Sequence, residues 1–329
     1  MRAVRMLNRA QILEQLPYAL KSAAPLAQTL GIPLAHPGKV RDNFVKGGKR
    51  WLVVSDRISA FDRLLGVVPF KGEVLTAISA FWFRKTQDVV ANHLLAVPDP
   101  QVMVALEAEA IHIEVVVRSH LTGSLWRDYQ KNLEGAYGLN LPEGLEQFAA
   151  LGDPIITPST KASYGEHDAP ISPSEIIARE LCTREEWQTI SKMALKLFTA
   201  GIEHASDRGL ILVDTKYEFG RVKRPDGTKE IVVIDEIHTP DSSRYWYKDD
   251  FEERRRRGEA PRALDKEFLR VWLMERGFSG EGEPPEIPDD VRAELTERYL
   301  ELYRLLVGQE LVLHPGPVLQ RVERALKSI

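Results

Sequence analysis

Cysteine is almost absent from the chain. Cys182 stands alone, which excludes an intramolecular disulfide framework and a cysteine-based zinc site and fits a reduced, cytoplasmic setting. No apolar run approaches the ~20 residues a membrane helix needs, and no signal-peptide core is present. Neither sign of charge dominates: 44 basic against 48 acidic side chains leave no electrostatic footprint for nucleic acid. The glycine-rich nucleotide signatures G-x-x-x-x-G-K-[ST] and G-x-G-x-x-G are both missing. Internal repeats and long low-complexity segments are missing too.

What remains is an ordinary globular composition, 43% hydrophobic and 28% charged over 329 residues, a length that suggests about two domains. The most informative stretch runs from Gly209 to Trp246. It reads as two strands rich in β-branched and aromatic residues, joined through Pro225-Asp226-Gly227. Period-two alternation sends Asp214, Lys216 and Glu218 to one face and Val213, Thr215, Tyr217 and Phe219 to the other. The returning apolar run, Ile231 to Ile234, stops at Asp235-Glu236. Pairing the strands brings Glu218 and Asp235 together beside Lys216, an oxygen-only arrangement suited to Mg²⁺. The alternative is a hairpin with a charged, solvated face.

Upstream, Gly38-Lys-Val-Arg-Asp and Trp51-Leu-Val-Val-Ser predict a hairpin with Lys39 and Arg41 on one face. Two such cations can clamp phosphates, lysine as a point charge and arginine through paired hydrogen bonds. A helix is expected from about Val74 to Lys85, after a short amphipathic helix near the start and a connector from Pro25 to Gly38. Ile111 to Arg118 predicts a strand, and Arg118 with Ser124 makes an anion cradle. Residues 132 to 156 read as surface loop. The segment from Thr157 to Asp168 is a loop dense in Lys, Glu, His and Asp, better suited to function than to structure. Zinc at Glu166-His167-Asp168 is excluded by spacing. One helix is expected from Ser174 to about Ser206, with Cys182 packed and inert. Asp241 and Arg244 lie just past the metal-site acids, Lys266 and Arg270 open another helix, and a final amphipathic helix spans Asp290 to Val307. Strand-rich sequence followed by mixed elements predicts an α+β chain of two lobes with a cleft between them, residues 1–114 and 115–329.

Several of these segments together resemble the SAICAR synthetase family. They are Gly38-Lys-Val-Arg-Asp, Ser55-Asp-Arg-Ile-Ser-Ala-Phe-Asp, Val117-Arg-Ser-His-Leu-Thr-Gly-Ser124, Thr157-Pro-Ser-Thr-Lys…Gly-Glu-His-Asp168, Gly209 to Gly220, and Ile234 to Arg244. The resemblance spans roughly residues 36 to 310 and leaves out about the first 30. It implies a two-lobed ATP-grasp or kinase-like α+β body and an ATP- and Mg²⁺-dependent ligase of purine biosynthesis. That ligase joins L-aspartate to carboxyaminoimidazole ribonucleotide (CAIR) through an acyl phosphate.

Under this resemblance Lys39 and Arg41 contact ATP phosphates, and the segment at Glu114 forms the hinge beside adenine. Glu218 and Asp235 hold Mg²⁺, and Lys216 acts near the nucleotide. Arg118, Ser124, Asp168, Asp241 and Arg244 line the substrate pocket, Lys266 and Arg270 reach the substrate phosphate, and Asp168 handles the proton of the amine. Family members often have Ser-Phe-Asp-Lys-Gln where this chain has Ala263-Leu-Asp-Lys-Glu267, so contacts from the flanking Ser and Gln are not carried over. The expected partners are small molecules only, with no nucleic acid and no membrane, in a monomer or small homo-oligomer. A related small-molecule kinase and a catalytically silent nucleotide-binding scaffold are the alternatives.

Overall fold

The computed structural model describes residues 7–131, 137–161, 168–224 and 226–327. In chain order the elements are α1 (Arg9–Leu13), α2 (Leu26–Leu30), β1 (Leu34–Pro37), β2 (Arg41–Lys46), β3 (Lys49–Val54), β4 (Arg57–Ala60), β5 (Arg63–Val67), α3 (Lys71–Lys85), β6 (Leu94–Asp99), β7 (Val102–Leu106), β8 (Glu109–His120) and α4 (Gly123–Lys131). They continue with β9 (Ala150–Thr160), α5 (Pro173–Ala178), α6 (Arg184–Asp207), β10 (Leu210–Lys223), β11 (Lys229–Ile234), β12 (Ser243–Tyr247), α7 (Phe251–Arg256), α8 (Glu267–Met274), α9 (Asp289–Val307) and α10 (Val318–Leu326).

Two five-stranded sheets carry the fold. The first has the order β1-β2-β3-β7-β6; the second runs β11-β10-β8-β9, with β12 also on β10. Strand β8 explains the second sheet's two faces. Ile111, Ile113, Val115 and Val117 are buried in the main core, so the alternate positions Glu114, Val116 and Arg118 face the other way. The core is continuous across both sheets: β3, α3, β8, β10, α6 and α9 all contribute to one apolar cluster. Mixed sheets and helices packed in this way give an α+β architecture.

Several sequence expectations change here. The chain leaves the first sheet at Leu106 and enters the second at Glu109, so a division at residue 114 cuts β8 in its middle. Helix α10 also returns to the first sheet, where Val318, Val322 and Leu326 pack with Phe44, Trp51 and Val53. The helix expected from Ser174 to Ser206 is two helices. Glu180 takes φ +54, and Thr183 with Glu186 forms a new capping box that restarts the chain as α6. The connector from Pro25 contains α2 and β1, Arg57–Ala60 is a strand, and the loop read over 132–156 already holds the start of β9. The Pro225 turn residue and the Glu166-His167 pair lie outside the described residues.

Candidate active site

The β10–β11 hairpin forms as the pattern predicts, with Glu218 opposite Ile234 and Asp235 next in line. Its alternation has one departure. Val213 packs with Trp246 and Phe251 in a separate cluster, whereas Tyr217 and Phe219 join the main core. A register shift lies at this residue, between Leu212 and Asp214. The extra residue of a bulge changes which face the following side chains take. Leu210 and Leu212 therefore stay in the core, while Asp214 and Lys216 line a polar cleft.

That cleft measures about 340 Å³ and is bounded by Lys39, Glu114, Arg118, Asp168, Lys216 and Arg270, among others. Ser124, Asp241 and Arg244 are on its wall as well. Nine side chains expected from the sequence thus meet in one place. Arg41, Glu218, Asp235 and Lys266 do not line the cleft, although Lys216 on its wall pairs with Glu218 and Asp241 lies near Lys266.

Two charge clusters shape the cleft. In the first, β8 and β10 place Asp214 opposite Arg118. Arg118 Nη1 donates to Asp214 Oδ2 at 3.0 Å, its Nε donates to Thr157 Oγ1 at 2.7 Å, and its Nη2 donates to Ser124 Oγ at 3.0 Å. Arg244 Nη1 donates to the same Asp214 oxygen. Arg244 Nε and Arg270 Nη1 then share Glu267, at 3.3 and 3.0 Å. Three guanidiniums facing two carboxylates leave one positive charge for an anion. Gly123 permits the close approach: its φ is +58, and a Cβ there would sit 2.6 Å from Arg244 Nη2.

In the second cluster Lys216 Nζ lies 3.0 Å from Glu114 Oε1 and 2.5 Å from Glu218 Oε1, and Lys161 also pairs with Glu218. Burial works against the charge of Lys216, but Glu218 and Glu114 outweigh it and hold the ammonium well above the usual lysine range. Burial likewise opposes the Glu218 carboxylate, yet Lys216 and Lys161 hold it below the usual range. Burial, with Glu218 and Glu236 nearby, pushes Asp235 up against the pull of Arg41.

Arg41 departs from the expected hairpin face. Its Nη1 donates to both oxygens of Asp235 at 2.9 Å, and its Nη2 meets Glu236 Oε2 at 2.5 Å. A planar guanidinium satisfies two adjacent carboxylates better than it could by facing water. Lys39 remains on the cleft wall, 2.5 Å from Asp62 Oδ1. Asp168 is exposed at the cleft, and Lys266 Nζ lies 3.9 Å from Asp241 Oδ1.

Sequence patterns alone do not assign Lys71, Tyr299 or Glu267 to the site, and they give Asp214 a strand face without a role. Lys71 Nζ meets Asp241 Oδ2 at 2.7 Å, and Tyr299 donates to its other oxygen at 2.9 Å. A lysine opening a helix, where the dipole disfavours cations, is the available signal for the first. Asp214 shares a strand face with Lys216 and follows from alternation alone. Nothing local marks Tyr299, which arrives from 58 residues away.

Among the described residues no group of three or more His, Cys, Asp or Glu side chains is arranged to hold a metal ion. The donors near Glu218 and Asp235 are carboxylate oxygens whose charge is at present balanced by Lys216, Lys161 and Arg41. Such a donor set fits a hard divalent cation completed by phosphate and water.

The family model described as SAICAR synthetase matches residues 34–286. A phosphoribosylaminoimidazole-succinocarboxamide synthase of Legionella pneumophila (strain Paris) is 46% identical over 294 residues, covering 87% of this chain and 92% of its own length. One from Bacteroides fragilis (strain YCH46) is 44% identical over 292 residues, covering 87% and 91%. The solved structure of SAICAR synthase from Saccharomyces cerevisiae complexed with SAICAR superposes with a TM-score of 0.72 at 32% identity, covering 86% of this chain and 97% of that one. The chain belongs to the SAICAR synthetase family, ligases of purine biosynthesis.

Proposed function

We propose that the chain joins L-aspartate to the carboxylate of CAIR, consuming ATP and yielding SAICAR, ADP and phosphate. The observation that carries this reading is the cleft itself. Arg118, Arg244 and Arg270 leave a net positive charge beside Asp214 and Glu267, and a second array of lysines and carboxylates surrounds Glu218. One array suits a phosphorylated, carboxylated substrate; the other suits a nucleotide.

The chemistry sets the division of labour. A carboxylate is a poor electrophile, so the terminal phosphoryl group of ATP first passes to the CAIR carboxylate oxygen, giving an acyl phosphate and ADP. The aspartate nitrogen then bonds to the acyl carbon, the carbon–oxygen bond to phosphate breaks, and the amine gives up its proton. Phosphoryl transfer depends mainly on alignment and on neutralising charge. Lys39 and Arg41 are the proposed contacts to the ATP phosphates; Arg41 reaches them only by giving up an oxygen of Asp235 or Glu236. Lys216 holds the nucleotide end of the cleft, with the chain at Glu114 as hinge beside adenine. Arg118, Ser124, Asp241 and Arg244 orient the substrates, and Lys266 and Arg270 face the ribonucleotide phosphate. Asp168 accepts the amine proton. Glu218 and Asp235 would hold Mg²⁺, which when bound neutralises phosphate charge. The two lobes, built on the first and second sheets, meet at this cleft.

The test is phosphate release from ATP with Mg²⁺ and CAIR, with and without L-aspartate, with mass detection of the product. Aspartate-dependent phosphate release coupled to SAICAR supports the reading. ATP consumption that ignores aspartate would replace it with a kinase, and ATP binding without turnover would replace it with a silent scaffold.

A further inference from the structure

The first turn of α3 places a cation where folding alone gives little reason for one. Lys71 is 1% exposed, and the amide groups at a helix N-terminus carry partial positive charge, so its ammonium loses water and gains a repulsive neighbour. The backbone here is also constrained. Phe70 takes φ +61, and a Cβ on Gly72 would collide with the Val54 carbonyl oxygen. Two further contacts pin the turn: Gly72 N donates to Asp56 Oδ1 at 2.8 Å, and Glu73 pairs with Arg321 at 2.7 Å.

Opposite this fixed cation sits Asp241, on the cleft wall. Lys71 reaches one of its oxygens from α3, and Tyr299 donates to the other from α9. Lys266 stands 3.9 Å away, Arg41 also feels the charge of Asp241, and Arg270 and Glu236 act on Lys266. Three separate elements therefore converge on one carboxylate. Held this way, Asp241 keeps lone pairs for an N–H donor on a substrate.

We propose that Lys71 is a positioning residue, fixing Asp241 ionised and in one orientation on the cleft wall so that it can accept a hydrogen bond from the amino group of the imidazole ribonucleotide. The substrate identity in this inference rests on the function proposed above. Burial opposes the Asp241 charge, but Lys266 and Lys71 outweigh it and hold the carboxyl below the usual range. Losing Lys71 therefore moves its ionisation upward.

The experiment is steady-state kinetics at neutral pH on the wild type, K71M, K71R, D241N and K71M D241N. For K71M, the KM for CAIR rises about tenfold with a smaller change in kcat. K71R reverses most of the rise in KM. In the D241N background the lysine substitution adds nothing, since Lys71 acts only through Asp241. An unchanged KM in K71M, or a further rise of KM when K71M is added to D241N, overturns the proposal. If K71M alone does not fold, the comparison of D241N with the double variant, which removes the buried charge pair as a unit, decides the matter in the same way. A wild type that forms no SAICAR strikes the proposed function instead, and the two failures are told apart by that control.

Discussion

Glu218 and Asp235 are neighbours across a hairpin: Glu218 pairs with Ile234, and Asp235 follows at φ +67 as the strand ends. Asparagine tolerates the left-handed region better than most residues and keeps one acceptor for Arg41. Asp235→Asn is thus a nearly silent change for the fold, with Glu236 still holding Arg41 Nη2. If Asp235 supplies an oxygen ligand to Mg²⁺, kcat falls by about 100-fold or more while the thermal midpoint hardly moves. Wild-type kcat at saturating Mg²⁺ would sink the metal role.

Asp214 has a different kind of importance. A single oxygen accepts from both Arg118 and Arg244, and all three side chains are largely buried. Burial already lowers the Arg118 pKa, Arg244 adds to that, and Asp214 opposes it. Removing the carboxylate leaves two buried guanidiniums facing each other, which costs about 3–5 kcal/mol. Asp214→Asn is therefore expected to lose that much in urea unfolding, and a loss near zero would mean that water replaces the carboxylate.

How much of this can be read from residues alone depends on distance along the chain. The β2–β3 and β10–β11 hairpins and strand β8 are local signals, and all reappear in the structure. The bulge at Val213 is local too, but strict alternation has no means of announcing an extra residue. The ion pairs of Arg41 are not legible locally, because its partners, Asp235 and Glu236, lie almost 200 residues away. Lys71 and Tyr299 escape a local reading for the same reason. Helix α10 escapes it as well, since its apolar positions make sense only against the first sheet.

The break between α5 and α6 is legible in principle, because Thr183-x-x-Glu186 is a capping box. Thr183 Oγ1 accepts from Glu186 N at 3.2 Å, and Glu186 Oε2 accepts from Thr183 N at 2.8 Å. Thr183→Ala is expected to cost about 1 kcal/mol. Glu186 also receives Arg221 Nε at 2.5 Å and Nη2 at 2.9 Å from β10, so Glu186→Ala should cost more than Thr183→Ala. Equal losses in urea unfolding would show that the link from α6 to β10 contributes nothing.

Asp265 gives a pH signature that separates folding from catalysis. Burial, helped by Glu267, pushes its carboxyl up to about 7, although the backbone N–H of Glu267, Arg244 and the N–H of Tyr245 pull the other way. Unfolded, an aspartate titrates near 4. Between these values the folded protein holds a proton that the unfolded chain has released. Stability therefore falls as pH rises through that window, by the sign of proton linkage. Asp265→Asn cannot titrate, and whatever its lost hydrogen bond costs is the same at every pH. Urea midpoints measured from pH 4 to 8 should show the wild type declining relative to Asp265→Asn, with the other buried carboxyls cancelling between the two. Parallel curves would refute the raised pKa. Since Asp265 anchors the backbone of Tyr245 and Glu267, the residues directly after Arg244 and Lys266, its ionisation acts at the joint that carries both cations into the cleft.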